Sequence, residues 1–163
     1  MWKEMTLTEV IHTMEVLAAG VPSIQSIVRN DIFRLNSLPD AKYAVFGWTQ
    51  GQHSASVESS LITYNFTLFY IDRLTESQRN QIEIQSVGIQ VLDNIIRALY
   101  DQGINAEMAY TFQTFNQRFL DECAGVYTQV ALSVPVGGLC ADYFADFNDD
   151  FNEDFSIGSA TIY

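Results

Sequence analysis

Basic residues and histidines are scarce in this 163-residue chain. Eight Lys and Arg stand against 20 Asp and Glu, which gives a formal net charge of −12 at pH 7. Because phosphate binding depends on Lys and Arg, this balance argues against a protein that grips nucleic acid or an anionic membrane. The two histidines, His12 and His53, are each distant in sequence from a cysteine and are too few for a zinc site.

Long hydrophobic runs are also missing. The first residues, MWKEMTLTEVIH, lack the apolar core of a signal peptide, and no apolar run reaches membrane-spanning length. We therefore expect a cytoplasmic origin, in which Cys123 and Cys140 stay reduced and buried rather than forming a disulfide.

Catalytic signatures are absent from the sequence as well. It contains no G-x-S-x-G, no P-loop and no paired-glycine fingerprint. Asp121 and Glu122 are adjacent acids, whereas acid–base catalysis needs carboxylates placed across a cleft. The sequence predicts a protein that is not an enzyme and that holds no cofactor or metal.

Two helices are predicted from capping signals and apolar periodicity. Thr6 and Glu9 have capping-box spacing, which predicts a helix running to about Ala19. A second box, at residues 75–78, predicts a long helix over about 77–101 that ends before Gly103. Its wide apolar face comprises Ile82, Ile84, Val87, Ile89, Val91, Leu92, Ile95, Ile96 and Leu99.

Strands are predicted over residues 43–49, 61–73, about 106–115 and about 126–136. The strongest, LITYNFTLFYIDR, alternates with period two, and its core-facing side comprises Ile62, Tyr64, Phe66, Leu68 and Tyr70. Its other side is polar at first and ends in Phe69 and Ile71. Pro135 predicts that the last strand ends at a sheet edge. Because helices and strands are segregated, we predict an α+β fold, with an antiparallel sheet and both helices packed on one face.

An acidic aromatic arm follows this domain, and we place the boundary between residues 1–136 and 137–163. No base follows Arg118, although the final 45 residues hold eight acids. In ADYFADFNDDFNEDF, residues 141–155, the aromatic and acidic side chains form separate helical lines: Phe144, Phe147, Phe151 and Phe155 in one, Asp146, Asp150 and Asp154 in another. We predict that the arm docks its aromatic side on its own body or on a neighbouring subunit. Disorder stays open, because the unrelieved acids make an isolated helix marginal.

A calcium loop is rejected for this arm. Its sixth position is Phe151 where the loop needs Gly, and its twelfth is Ile157 where the loop needs Glu. Weak divalent binding by Asp146 and Asp150 stays open, and with it a third hypothesis, a metal-dependent hydrolase or nuclease.

Four stretches together resemble a known family: LPDAKYAVFGWTQGQH at 38–53, SLITYNFTLFYIDRLTESQRN at 60–80, IQSVGIQVLDNIIRAL at 84–99 and TFQTFNQRFLDECAGVY at 111–127. They resemble small tail and head–tail connector proteins of tailed bacteriophages of gut Bacteroidales, including the crAss-like phages. The order of elements is also similar to the phage tail-terminator fold. The resemblance covers about residues 5–136, and its motifs are structural patterns rather than catalytic signatures.

The resemblance implies a structural virion protein at the tail or the head–tail junction. Subunits of such proteins form a sixfold or twelvefold ring around the DNA channel, next to portal, connector or tail proteins. DNA is then passing cargo, and an acidic lumen suits its passage because it repels phosphates. The predicted exposed loop or hairpin tip at 51–59 suits sheet extension between subunits, and the candidate interface residues there are Trp48, Gln50, Gln52 and His53.

A binding module is the alternative to a ring subunit. The base-free end of the chain is compatible with an acidic DNA mimic that occupies a basic host protein.

Overall fold

The fold is described by a computed structural model over residues 5–107, 109–119, 121–136 and 161–163. Its elements, in chain order, are α1 Leu7–Ala19, β1 Ser26–Arg29, a 3-10 helix Ile32–Ser37, β2 Val45–Gln50, β3 Ser54–Ser56, β4 Leu61–Arg73, α2 Gln81–Asp101, β5 Asn105–Ala106, β6 Phe112–Arg118, β7 Glu122–Pro135 and β8 Thr161–Ile162. In the described residues, two α-helices and one open sheet of eight strands form the predicted α+β fold.

The sheet is mixed rather than wholly antiparallel, which corrects the prediction. Its order is β5–β7–β4–β2–β1–β8, with β6 also paired to β7 and β3 also paired to β4. The long strands β2, β4, β6 and β7 pair antiparallel, whereas β1 runs parallel to both β2 and β8. A parallel pair needs a crossover, and the chain from β1 to β2 provides it through the 3-10 helix.

Both helices pack on one face of the sheet, as predicted. The alternation of β4 is confirmed, since Tyr64, Phe66, Leu68 and Tyr70 are buried with Ile62 partly buried beside them. The helices contribute Val10, Met14, Ala18, Ile84, Val91, Leu92, Ile95, Ile96 and Leu99 to this main cluster. Each of these side chains other than Ala18 stabilises the fold by roughly 1.5–3 kcal/mol through removal from water.

The opposite face of the sheet is half apolar and half polar. Its apolar half is covered by the 3-10 helix and forms a second cluster of Val28, Ile32, Leu35, Ala41, Val45, Ile71, Phe119 and Cys123. The polar half of β4 carries Thr63, Asn65 and Thr67. Cys123 is free and buried, as predicted, while Cys140 lies outside the described residues.

The first helix starts as predicted, and the second does not. Thr6 N–H donates to a Glu9 carboxylate oxygen at 2.6 Å, and Glu9 N–H donates to Thr6 Oγ1 at 3.2 Å, which is a capping box. α2 begins at Gln81 rather than near 77, because Asn80 turns its side chain back to accept from Thr75 N–H at 2.9 Å. Gln78 has a φ of 52°, so residues 75–78 form a turn instead of a cap.

The apolar face of α2 is narrower than predicted. Ile82, Val87 and Ile89 are exposed, Ile82 by 73%. The centre of the contact is Gly88, where an added Cβ would lie 2.9 Å from a Tyr70 ring carbon. Val87 and Ile89 are its chain neighbours, rotated about 100° to either side, and therefore point away from the sheet.

The last predicted strands also change. The segment predicted at 106–115 is divided between β5 and β6, and the next strand, β7, begins at Glu122 rather than near 126. β7 is an interior strand over most of its length, but among the described residues its end at Pro135 has a partner strand on one side only and lies at a sheet edge, as predicted. Val136 N–H points toward β4 and donates to Ser60 O. The Pro135 nitrogen therefore points to the other side of β7. No strand in the described part of the chain pairs with β7 there, because the pairing with β5 ends at Ser133.

The predicted arm is described only at its end. Residues 161–163, the last of the predicted arm, pair with β1 at the edge of the sheet. The arm's candidate residues, Phe144, Phe147, Phe151, Phe155, Asp146, Asp150 and Asp154, lie outside the described residues. No helix in the described part of the chain is long and apolar enough to cross a membrane.

A hydrogen-bonded group, which we call the polar link, connects Tyr110, just before β6, to Asp93 of α2. Asp93 accepts from Arg97 Nε at 2.7 Å and from Tyr110 O–H at 2.5 Å. These two hydrogen bonds, that from Arg97 first, hold the pKa of Asp93 below its ordinary value. Burial and the Asp93 hydrogen bond raise the pKa of Tyr110 to about 12.

Acid should weaken this link. The pKa of Asp93 is lower in the folded state than in the unfolded state. Its contribution to stability is therefore complete above the unfolded-state pKa and is lost as the pH falls through the folded-state pKa. We expect Tyr110→Phe to lower the free energy of unfolding by about 1 kcal/mol at pH 7 and by less at pH 3, below the ordinary Asp value. Urea denaturation of both proteins at both pH values measures this, and an equal loss at the two would contradict it.

Candidate functional site

The predicted interface residues lie where β2 continues into β3 along β4. Three residues, 51–53, lie opposite only two, 64–65, between the paired segments of β2 and β3. This is a β-bulge, which bends a strand and redirects its side chains. Of the two forms predicted for 51–59, an exposed loop or the tip of a hairpin, the structure has the hairpin, with an extra residue that the sequence pattern did not indicate.

The bulge places the His53 ring against β4. Its Nδ1 accepts from Asn65 N–H at 3.1 Å, so Nε2 carries the proton and donates to Gln50 Oε1 at 2.9 Å. The ring centroid lies 5.4 Å from that of Tyr64. Asn65 Nδ2 donates to the Gln52 carbonyl at 2.6 Å. Three of the four predicted residues, Gln50, Gln52 and His53, thus belong to one hydrogen-bonded surface, which we call the bulge surface.

Beyond the bulge the hairpin is exposed. All of residues 54–60 are exposed, and Val57 at the tip is 98% accessible. A large aliphatic side chain at such a tip buries nothing within this subunit.

Trp48 does not belong to this surface, which corrects its prediction as an interface residue. It is only 3% exposed, because it lies on the helix-facing side of β2. Its indole Nε1 donates to Glu15 Oε1 at 2.9 Å, and its ring meets that of Phe66 edge-on at 5.9 Å.

The buried Glu15 and the 38% exposed Arg29 form an ion pair that the sequence patterns did not indicate. Arg29 donates from Nε and Nη2 to the two Glu15 oxygens, both at 2.6 Å, and the Glu15 side chain is 1% exposed. Donating these hydrogen bonds to the Glu15 carboxylate raises the pKa of Arg29. With Trp48, the pair joins α1, β1 and β2. A signal existed, since Glu15 directly follows Met14 in the apolar stripe of α1, but nothing in the sequence indicated its partner.

A cavity of about 300 Å³ opens beside this pair. It connects the ion pair to the bulge surface, because Gln50 lines it and Gln50 Nε2 donates to Asn30 Oδ1 at 3.1 Å. Its lining residues are Thr8, Ile11, His12, Glu15, Arg29, Asn30, Trp48 and Gln50. All three Glu15 hydrogen bonds are made within the protein, so the carboxylate is structural rather than presented to a ligand.

A larger groove, of about 660 Å³, lies at the opposite end of the sheet. Arg73 lies at its rim, with its guanidinium 5.0 Å from the Tyr43 ring centroid and Nη2 2.8 Å from Asp121 Oδ2. Burial raises the pKa of Tyr43, and it also raises the pKa of the Cys123 thiol. Both groups are therefore protonated at neutral pH, and this thiol is not an activated nucleophile.

A third cavity, of about 380 Å³, lies on the polar half of the outer face, where Asn65, Thr67, Glu107 and Gln129 line it. Within the described ranges, no group of His, Cys, Asp and Glu is arranged to hold a metal ion. The possible divalent site at Asp146 and Asp150 falls outside those ranges.

Comparison with known proteins gives no match: no protein-family profile matches the sequence, and neither does any curated protein.

Proposed function

We propose that this protein is a ring subunit of a tailed-bacteriophage virion, a tail terminator or head–tail connector, with a tail-terminator-like form of the α+β fold. The observation that carries the proposal is one continuous sheet with two unlike edges, β6 on one side and β1 with β8 on the other. Rings that close head to tail need two different patches on each subunit, and these edges are such a pair.

The β6 edge is suited to pairing. In the described residues, β6 pairs only with β7, which leaves the other side of this seven-residue strand open. Gln113, Thr114 and Asn116 are exposed, and residues 112–117 carry no charge of the kind that blocks edge-to-edge pairing. An open edge strand whose sequence has a single charged residue, Arg118 at its end, supports sheet extension by a neighbouring subunit.

The hairpin supplies a further contact in this proposal. The bulge surface and the exposed Val57 tip extend beyond the packed core and would lie against the next subunit. The arm at 141–155 would dock its four phenylalanines on the subunit's own body or on a neighbour.

The excess of acidic residues favours a channel for DNA over a protein that binds nucleic acid. With a net charge of −12, the ring would repel phosphates and let DNA pass as cargo, while portal, connector or tail proteins contact its two faces. The virion, at the tail or the head–tail junction, is the proposed location.

Native mass spectrometry over a wide concentration range tests the ring. We expect a closed sixfold or twelvefold species, and we expect Gln113→Lys with Asn116→Lys to dissociate it by charging the β6 edge. The control is Gln90→Lys with Asn94→Lys, which adds the same two charges on the exposed side of α2 and should leave the ring intact. Replacing Phe144, Phe147, Phe151 and Phe155 by Ser tests the arm while retaining residues 161–163.

A stable dimer with nothing larger would overturn the ring and favour the acidic binding module. A chain that stays monomeric in isolation would be sought in purified virions by mass spectrometry. Its absence there would overturn the structural role.

A further inference from the structure

The last strand makes a small, two-sided contact with the β1 edge. Thr161 N–H donates to Gln25 O at 3.3 Å and Tyr163 N–H donates to Ile27 O at 3.1 Å, in parallel register. Ile162 packs on the main cluster, and Tyr163 packs on the second cluster. Tyr163 O–H also donates to the Asp40 carbonyl at 3.3 Å. Three residues therefore extend the sheet and contact both of its apolar layers.

The chain between β7 and β8 is longer than this position requires. The last residue of β7, Pro135, pairs with Leu61. The first residue of β8, Thr161, lies level with Ile71. This follows because Thr161 pairs with Ser26, Ser26 pairs with Val45, and Val45 pairs with Ile71. The two ends are separated by ten residues along the strands and by four strand spacings across the sheet. The straight-line distance between them is therefore about 38 Å. The 25 intervening residues, 136–160, can span about 80 Å when extended.

This excess length means that the same strand can reach another copy. The groups that hold β8 (the Gln25, Ile27 and Asp40 carbonyls and the two apolar clusters) are identical on every subunit. Docking on a neighbour therefore makes the same bonds as docking on the subunit's own edge. A long connection between β7 and β8 lowers the effective concentration of the last strand at its own β1 edge. In a ring, the β1 edge of the neighbouring subunit is also close.

We propose that the β1 edge is a docking site for residues 161–163 of a second copy of this chain. In the assembled ring, the last strand of one subunit completes the sheet of the next and contacts both of its apolar clusters. The proposal rests on the ring for the nearness of the two copies. Its docking step can be measured without a ring.

Isotope-coded cross-linking tests the exchange. Protein carrying Tyr163→p-benzoylphenylalanine is prepared with ¹⁴N and with ¹⁵N, and the two are unfolded and refolded together. We expect irradiation to join position 163 to residues 25–40, with about half of the joined peptides carrying one light and one heavy partner, as random exchange between copies gives. Exclusively like-labelled cross-links at every concentration would overturn the exchange. If native mass spectrometry still showed a closed ring, the proposed ring function would stand without strand exchange.

Peptide binding tests the β1 edge by itself. Ile162→Asp should release the protein's own strand, because Ile162 packs on the main cluster, whereas Thr161→Asp, at an exposed position, should not. A fluorescent peptide of residues 156–163 should then bind Ile162→Asp protein saturably and bind Thr161→Asp protein at least tenfold more weakly. A peptide with Asp at position 162 is the matched control and should not bind. Failure of the natural peptide to bind Ile162→Asp protein would overturn the docking site.

Discussion

Arg29→Met is expected to lower the free energy of unfolding by about 2–4 kcal/mol, because it leaves the buried Glu15 carboxylate without its counter-charge, while solvent at the 38% exposed Arg29 side chain weakens the pair relative to a fully buried one. Glu15 is 1% exposed and would keep only the Trp48 indole as a partner. A loss of this size lowers the melting temperature of a chain of this length by roughly 10 °C. Urea denaturation and thermal melting followed by circular dichroism measure both quantities.

Two further variants separate the ion pair from a general loss of charge. Arg34→Met, at an exposed position of the 3-10 helix, should change stability by no more than about 0.5 kcal/mol. Glu15→Leu combined with Arg29→Met removes both charges, and it should be less destabilising than the sum of the single changes. An Arg29→Met protein within about 1 kcal/mol of the wild type would contradict the assigned role of the pair.

Gly125→Ala is expected to cost about 2–4 kcal/mol, since there is no space for a methyl group at this position of β7. An added Cβ would lie 2.5 Å from the Tyr70 carbonyl oxygen and 2.7 Å from the Phe115 ring. The carbonyl belongs to the paired backbone of β4 and cannot move without breaking the ladder. Denaturant unfolding measures the loss.

Gly47→Ala is the matched control in a neighbouring strand. Its added Cβ would also lie 2.5 Å from another atom, but that atom is Cδ1 of Ile32, at the far end of a flexible side chain. We expect a cost below about 1.5 kcal/mol there, because Ile32 can change rotamer. Equal costs at the two glycines would show that strand propensity, rather than the backbone contact, determines the effect.

Local signals predicted the elements whose causes are local. The Thr6–Glu9 box starts α1, and the alternation of 61–73 matches β4 residue for residue. The box at Thr75 failed because Asn80 offers those backbone groups a competing partner. The apolar face of α2 was predicted too wide because its centre is Gly88, whose contact with Tyr70 is a tertiary property.

The candidate site shows the same division. Gln50, Gln52 and His53 were placed correctly at an exposed hairpin, because polar residues between two strand patterns indicate one. Trp48 was misplaced, since an aromatic residue beside that hairpin fits an interface and a core equally well. The Glu15 carboxylate that binds its indole is 33 residues away in sequence.

By itself, the sequence determined the α+β class, the first helix, the faces of the long strand and the scarcity of positive charge, because each follows from residue type and short-range periodicity. Only the tertiary structure decided the parallel pairing of β1, the Glu15–Arg29 ion pair and the return of residues 161–163 to the sheet. Each of these joins segments that are distant along the chain, and their register depends on the packing of the whole domain rather than on any local pattern.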